Sequence, residues 1–239
     1  MTPARKIRVG TAGWTIPKAS ADKFPAHGSH LERYAACFNT VEINSSFYRP
    51  HRLATYQRWA ATVPDDFLFT VKVPKAITHE GRLQNAADRF AQFLSEVQGL
   101  GNKLGALLVQ LPPSLRFDEA VVSDFLAMLR ESYAGTAACE PRHATWFTPA
   151  AARVLESFQI SYVTADPVVG EVTQDTSATY FRLHGAPEMY YSPYSEESLD
   201  ALAKKLKQNA ASSECWCIFD NTALGHATEN ALRLLDILR

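Results

Sequence analysis

Cysteine is scarce in this chain, and so is any excess of charge. Four cysteines in 239 residues do not make a disulfide framework in a chain of this length. Lys and Arg number 24 against 25 Asp and Glu, for a net charge of −1. No global field therefore recruits nucleic acid or an anionic membrane, and any anion site must be local. No apolar run nears the roughly 18 residues that span a bilayer. The opening MTPARKIRVG has no apolar h-region, so no signal peptide is read. These absences predict a soluble cytoplasmic protein with no membrane partner. Phosphate-loop motifs are missing too. The glycines of VGTAGW fall at positions 10 and 13, which is not G-x-G-x-x-G, and there is no G-x-x-x-x-G-K-[ST].

What is present is apolar sequence, 46% of the chain, arranged in alternating runs. Strand-like stretches recur at Ile7–Thr11, Thr40–Asn44, Phe67–Val73, Leu104–Leu111, Thr136–Glu140, Ile160–Asp166, Thr179–His184 and Glu214–Phe219. Their mean spacing of about 30 residues is that of a βα unit. Helical periodicity fills most of the gaps, as in Leu31, Tyr34, Ala35 and Phe38, or Ala86, Phe90, Phe93, Leu94 and Val97. Asp118, Thr148 before Pro149, and Ser195 stand where helix N-caps belong. Eight alternations predict a single TIM-type (β/α)8 barrel domain over 1–239. The stretch PVVGEVTQDTSA after the sixth strand is short and β-branched, which predicts little or no helix there. Cys215 and Cys217 flank Trp216 on one strand. They are read as small buried hydrophobes, because zinc pairs usually have two or more residues between them.

Polar residues sit late in the strands. Glu42 interrupts the β-branched run of NTVEINSSFYRP, and Asn44 follows on the same parity. Lys72 ends FTVK, Gln110 ends LLVQ and Glu140 ends AACE, with Arg142 and His143 just beyond. Asp166 ends VTAD, Arg182 and His184 share a face of YFRLH, and Asn221 follows Asp220 after CIF. A buried carboxylate is costly unless paired, and barrel active sites lie at the C-terminal strand ends. The repetition predicts one shared polar pocket. Glu42, Glu140, Asp166 and His184 are the acid/base candidates. Lys72, Arg142 and Arg182 are the candidates for holding an anion, with Asn44, Gln110 and Asn221 beside them. His143 is a further binding candidate. Tyr48, Trp146 and Tyr194 are aromatic candidates at the same end, a stacking surface for a base or sugar ring. The plainer alternative is a structural network, in which Glu42 and Arg182 simply neutralise one another.

The chain also resembles the YecE-like family, or domain of unknown function 72. The likeness rests on GTAGW, VEINSSFYRP, KVPKAITH, LGALLVQLPPS, EPRHATWF, YFRLHG and FDNTALGHATENA, in family order across essentially the whole chain. It implies a TIM-type barrel. It also implies that Glu42, Asn44, Phe47, Tyr48, Lys72, His79, Gln110, Glu140, Arg142, His143, Trp146, Asp166, Arg182, His184 and Asn221 are characteristic positions. Asp220 departs from the Asn of many relatives. The resemblance transfers no reaction.

The expected function is an enzyme acting on a phosphate-bearing or sugar-like small molecule, with a nucleotide or nucleic acid as a further candidate. The alternative is a non-catalytic nucleotide or single-stranded nucleic-acid binding module. No cofactor is assured. A divalent metal is a candidate through His79, Glu140, His143, Asp166 and His184, as residue types only.

Overall fold

The computed structural model describes residues 7–170 and 178–239. Its strands are β1 (Ile7–Thr11), β2 (Thr40–Ile43), β3 (Leu68–Lys72), β4 (Leu104–Gln110), β5 (Thr136–Glu140), β6 (Ser161–Asp166), β7 (Ala178–Leu183) and β8 (Glu214–Phe219). Its helices are α1 (His30–Ala35), α2 (Ser45–Tyr48), α3 (Leu53–Thr62), α4 (Ala87–Val97), α5 (Glu119–Ser132), α6 (Pro149–Ser157), α7 (Glu196–Asn209) and α8 (His226–Leu238). The caps read from the sequence act as caps. Asp118 accepts from the Ala120 and Val121 amides, Thr148 from Ala151 and Ser195 from Ser198. Residues 167–170 are not helical, while the remainder of the expected helix-poor stretch, 171–177, lies outside the described residues.

All ladders are parallel, in the order β1-β8-β7-β6-β5-β4-β3-β2. The sheet curls until β1 meets β2, and there the seam is made differently. One bridge joins Ala12 to Glu42, and the Gly13 amide donates to the Glu42 carbonyl at 2.8 Å. Below it, Asn39 does the work of a strand edge: its Oδ1 accepts from the Val9 amide at 2.9 Å and its Nδ2 donates to the Ile7 carbonyl at 3.0 Å. Tyr34 adds a hydroxyl at 2.8 Å from the Thr11 amide. Backbones come so close here that a Cβ on Gly10 would sit 2.1 Å from the Thr40 carbonyl oxygen, so glycine is required.

Side-chain alternation divides the core in two. Outward residues such as Leu107, Val109, Cys139, Phe181, Cys215 and Cys217 pack under the helices. Inward residues Ala106, Leu108, Ala138, Val163, Tyr180, Trp216 and Ile218 fill the barrel. At its N-terminal end Trp216 lies over the space left by Gly105 and under the Arg8 guanidinium at 5.2 Å. Arg8 in turn pairs with Glu214 at 2.7 Å. That end is closed by packing. Among the described residues, no helix is long and apolar enough to cross a membrane.

Candidate functional site

The inward parity continues upward into charge. Glu42, Lys72, Gln110, Glu140, Arg182 and Asp220 each follow an inward residue by two positions or end such a series, and they meet above the Tyr180 ring. Tyr180 marks the floor, with its hydroxyl 2.9 Å from both Thr70 Oγ1 and Glu42 Oε2. Above it Arg182 is wholly buried. Its Nε and Nη2 donate to Glu42 at 2.9–3.1 Å, Nη2 also to Asp220 at 2.7 Å, and Nη1 to Glu140 at 3.2 Å. Nη1 also lies 2.6 Å from His184 Nε2. A guanidinium only donates, so Nε2 accepts from Arg182, while Nδ1 lies 3.6 Å from Asp166 Oδ1 and 3.0 Å from Arg142 Nη2. Arg142 covers this group from the β5 loop, with Nε on Glu140 at 2.7 Å and Nη2 on the His184 ring at 2.9 Å. Gln110 donates to the same Glu140 oxygen at 2.8 Å.

Burial and charge pull these groups in opposite directions. Burial pushes the Glu140 carboxyl up, but Arg182, Arg142, His184 and the Gln110 hydrogen bond outweigh it and hold it at about 2. Asp220 is raised above the usual range, first by burial and further by Glu42, against the pull of Arg182. Its side chain keeps 10% exposure where those of Glu42 and Glu140 keep none, so Asp220 is the carboxyl that faces the mouth. Lys72 is 7% exposed and is pushed down to about 8, first by burial and then by Arg182, against Glu42, Glu140 and Asp220. Its ammonium nitrogen lies 4.2 Å over the Phe47 ring. Among the described residues Lys72 makes no ion pair and no side-chain hydrogen bond. A buried carboxylate with one raised and one lowered neighbour, beside an amine of lowered affinity for its proton, is an arrangement suited to proton transfer.

The other expected residues fall in different places. Arg182 does not hold an anion: its N–H donors are spent on three carboxylates and His184. Trp146 is no stacking surface, being 1% exposed, with its indole N–H on the Leu115 carbonyl at 2.9 Å and its edge against Phe117. Asn44 is not on the Glu42 strand face, because β2 ends at Ile43 and Asn44 turns into α2 with φ −86° and ψ −22°; its Oδ1 is buried without a partner. Ser46 causes that turn, donating to the Ile43 and Lys72 carbonyls at 2.9 and 2.7 Å. Asn221 points away from the mouth and ties Ser192 to Asn230 of α8 at 3.0 and 2.9 Å. Asp166 lies on the parity opposite to Val163 and Ala165 and accepts from the His184 amide and the Tyr194 hydroxyl. It and Tyr194 therefore brace the β7 loop. His143 caps the turn at Thr145. Tyr48 is 72% exposed and packs edge-on against Phe47. His79 stands beside the same ring at 4.9 Å. Among the described residues no three His, Cys, Asp or Glu side chains are grouped to hold a metal; of the carboxylates expected to do so, Glu140 is taken by Arg142 and Arg182, and Asp166 by the His184 amide and the Tyr194 hydroxyl. Tyr190, one of the tyrosines that the sequence places in the EMYYSPY loop after the seventh strand, is 41% exposed and stands edge-on to His184 at 5.7 Å.

The family description "Protein of unknown function DUF72" matches residues 8–239. The chain belongs to the DUF72 family. The UPF0759 protein YecE of Escherichia coli (strain K12) is 34% identical over 106 residues, 44% of this chain and 38% of its own length. The chain thus spans under two fifths of that relative. The UPF0759 protein YunF of Bacillus subtilis (strain 168) is 24% identical over 97% of this chain and 94% of its own. Among solved structures, a DUF72 protein of Thermotoga maritima superposes with TM-score 0.82 at 27% identity, covering 97% of this chain and 98% of that one. A DUF72 protein of Enterococcus faecalis gives 0.81 at 23%, covering 97% and 95%, which speaks for the barrel alone. In this DUF72 chain the mouth just described is built by residues inside the matched span.

Proposed function

We propose that this barrel is an enzyme acting on a phosphate-bearing or sugar-like small molecule at its C-terminal mouth. Lys72 carries the reading. A purely structural network would pair a desolvated lysine with a carboxylate or replace it with an apolar side chain. Here three carboxylates are directed to Arg182 instead, and Lys72 is left to meet a substrate. Asp220, the carboxyl of the three whose side chain keeps some exposure, is the proton-transfer candidate. Two of the four residues first expected to carry chemistry, Glu42 and Asp166, take supporting places: the first orients Arg182 and the second the β7 loop.

A binding module for nucleotides is the second reading, and the exposed Tyr190 and Tyr191, at 41% and 47%, are what favours it. Three carboxylates around one mouth disfavour a polyanion, so a single small ligand fits better. A thermal-shift screen over free sugars, sugar phosphates and nucleotides tests the choice. Sugar phosphates raising the Tm of the wild type but not of Lys72→Met is the expected result. A response to nucleotides alone favours the binding module, and no response to any compound removes both readings.

A further inference from the structure

We propose that Lys72 acts as a nucleophile, condensing with the carbonyl carbon of an open-chain sugar aldehyde or ketone to form an imine. The inference rests on the sugar-like reading above and gives it a reaction class. Its basis is how the fold treats this amine. A lysine that serves as counter-ion to phosphate is most useful fully charged. Burial to 7% exposure and the charge of Arg182 work against the proton of Lys72, and the face of the Phe47 ring at 4.2 Å offsets only part of that. Desolvation next to another cation is a known route to a neutral, nucleophilic lysine. The groups whose charges act on it are Glu42 from β2, Glu140 from β5, Arg182 from β7 and Asp220 after β8. His79, in the turn after β3, feels the lysine in return. None of the carboxylates is paired with it, since Arg182 engages all three.

The step balances without an added oxidant or cofactor. The neutral Nζ attacks the carbonyl carbon, a C–N bond forms, the carbonyl π pair moves to oxygen, and one proton passes from the nitrogen to that oxygen to give a carbinolamine. The C–O bond then breaks with a second proton delivered to the hydroxyl, one water leaves as the C=N bond forms, and the proton left on the iminium nitrogen returns to the group that protonated the hydroxyl. Asp220 is placed for that delivery, as the carboxyl of the three whose side chain keeps some exposure. Lys72 held at about 8 leaves about one amine in ten neutral at pH 7, on the order of 200-fold more than an ordinary lysine.

Reductive trapping tests this. Wild type and Lys72→Arg, each first shown to melt cooperatively, are incubated with glyceraldehyde 3-phosphate and cyanoborohydride at pH 7, and adducts are mapped by peptide mass. The expected result is an adduct at Lys72 formed at least about 20-fold faster than at Lys75, a half-exposed lysine paired with Glu80, in keeping with the larger neutral fraction. Lys72→Arg should carry no adduct at that position. Wild type that binds the probe but labels Lys72 no faster than Lys75 overturns the nucleophile and leaves the pocket reading standing. Absence of both binding and adduct overturns this inference together with the reading beneath it.

Discussion

Arg182 of β7 and Glu42 of β2 face each other across the barrel at 2.9 Å, and neither side chain is exposed to solvent. The guanidinium is the common partner of Glu42, Glu140 and Asp220. Arg182→Ala would leave those charges buried without it. Breaking a buried pair by removing one partner costs about 3–5 kcal/mol, and urea unfolding should register a loss of that size. Arg182→Lys should recover only part of it, because an ammonium cannot span three carboxylates as a planar fork does. An alanine variant within about 1 kcal/mol of wild type would show that the network relaxes freely.

Lys72→Met should make the protein more stable at pH 7. The folded lysine is pushed down to about 8 from 10.5, so the folded state binds its proton less tightly than the unfolded chain does. Below 8 this costs stability in full, and the cost is relieved as pH rises from 8 to 10.5. A gain on the order of 2 kcal/mol at pH 7, vanishing near pH 10.5, is the expected pattern in urea midpoints. A destabilised methionine variant at pH 7 would mean that the amine is a structural element after all.

Glu140 gives the opposite window. Its folded value of about 2 lies below the ordinary 4.5, so its contribution is full above 4.5 and is lost as pH falls toward 2. Asp220 is raised; its contribution is present below the ordinary carboxyl value and is lost as pH rises through its folded value, which offsets part of the Glu140 effect. Between pH 5 and 2 the unfolding midpoint of wild type should therefore fall more steeply than that of Glu140→Gln. Parallel profiles would place the acid sensitivity elsewhere.

The barrel was legible because strand and helix periods alternate cleanly and the caps Asp118, Thr148 and Ser195 stand at the boundaries. The cluster of Glu42, Lys72, Gln110, Glu140, Arg142, Arg182 and His184 was legible as late polar residues in the strands. Parity explains much of the rest. Trp216, Ile218 and Asp220 alternate inward, which leaves Asn221 outward with Phe219; Val163 and Ala165 likewise put Asp166 on the other side. Asn44 escaped this rule because Ser46 ends the strand early. Trp146 looked like a rim aromatic, and only the tertiary fold could bring the Leu115 carbonyl to its indole. The division of partners was not legible at all, since which cation collects the carboxylates is decided by three strands far apart in sequence.

The seam between β1 and β2 makes a separate prediction. Asn39 satisfies the Val9 amide and the Ile7 carbonyl where a strand ladder is missing. Asn39→Ala leaves both buried, at about 1–3 kcal/mol for each unsatisfied group. Hydrogen exchange should show Val9 losing protection well before residues of β4 and β5. Equal protection across the two regions would mean that the bridge at Ala12 closes the barrel alone.

The central claim is that the barrel mouth takes a phosphate-bearing or sugar-like substrate through Lys72. Calorimetric titration of glyceraldehyde 3-phosphate into wild type and Lys72→Met, both folded, tests it most directly. The account predicts saturable one-to-one binding in wild type and a loss of at least about tenfold, 1.4 kcal/mol, in the methionine variant. Equal affinity in the two proteins, or no binding to either, would contradict it.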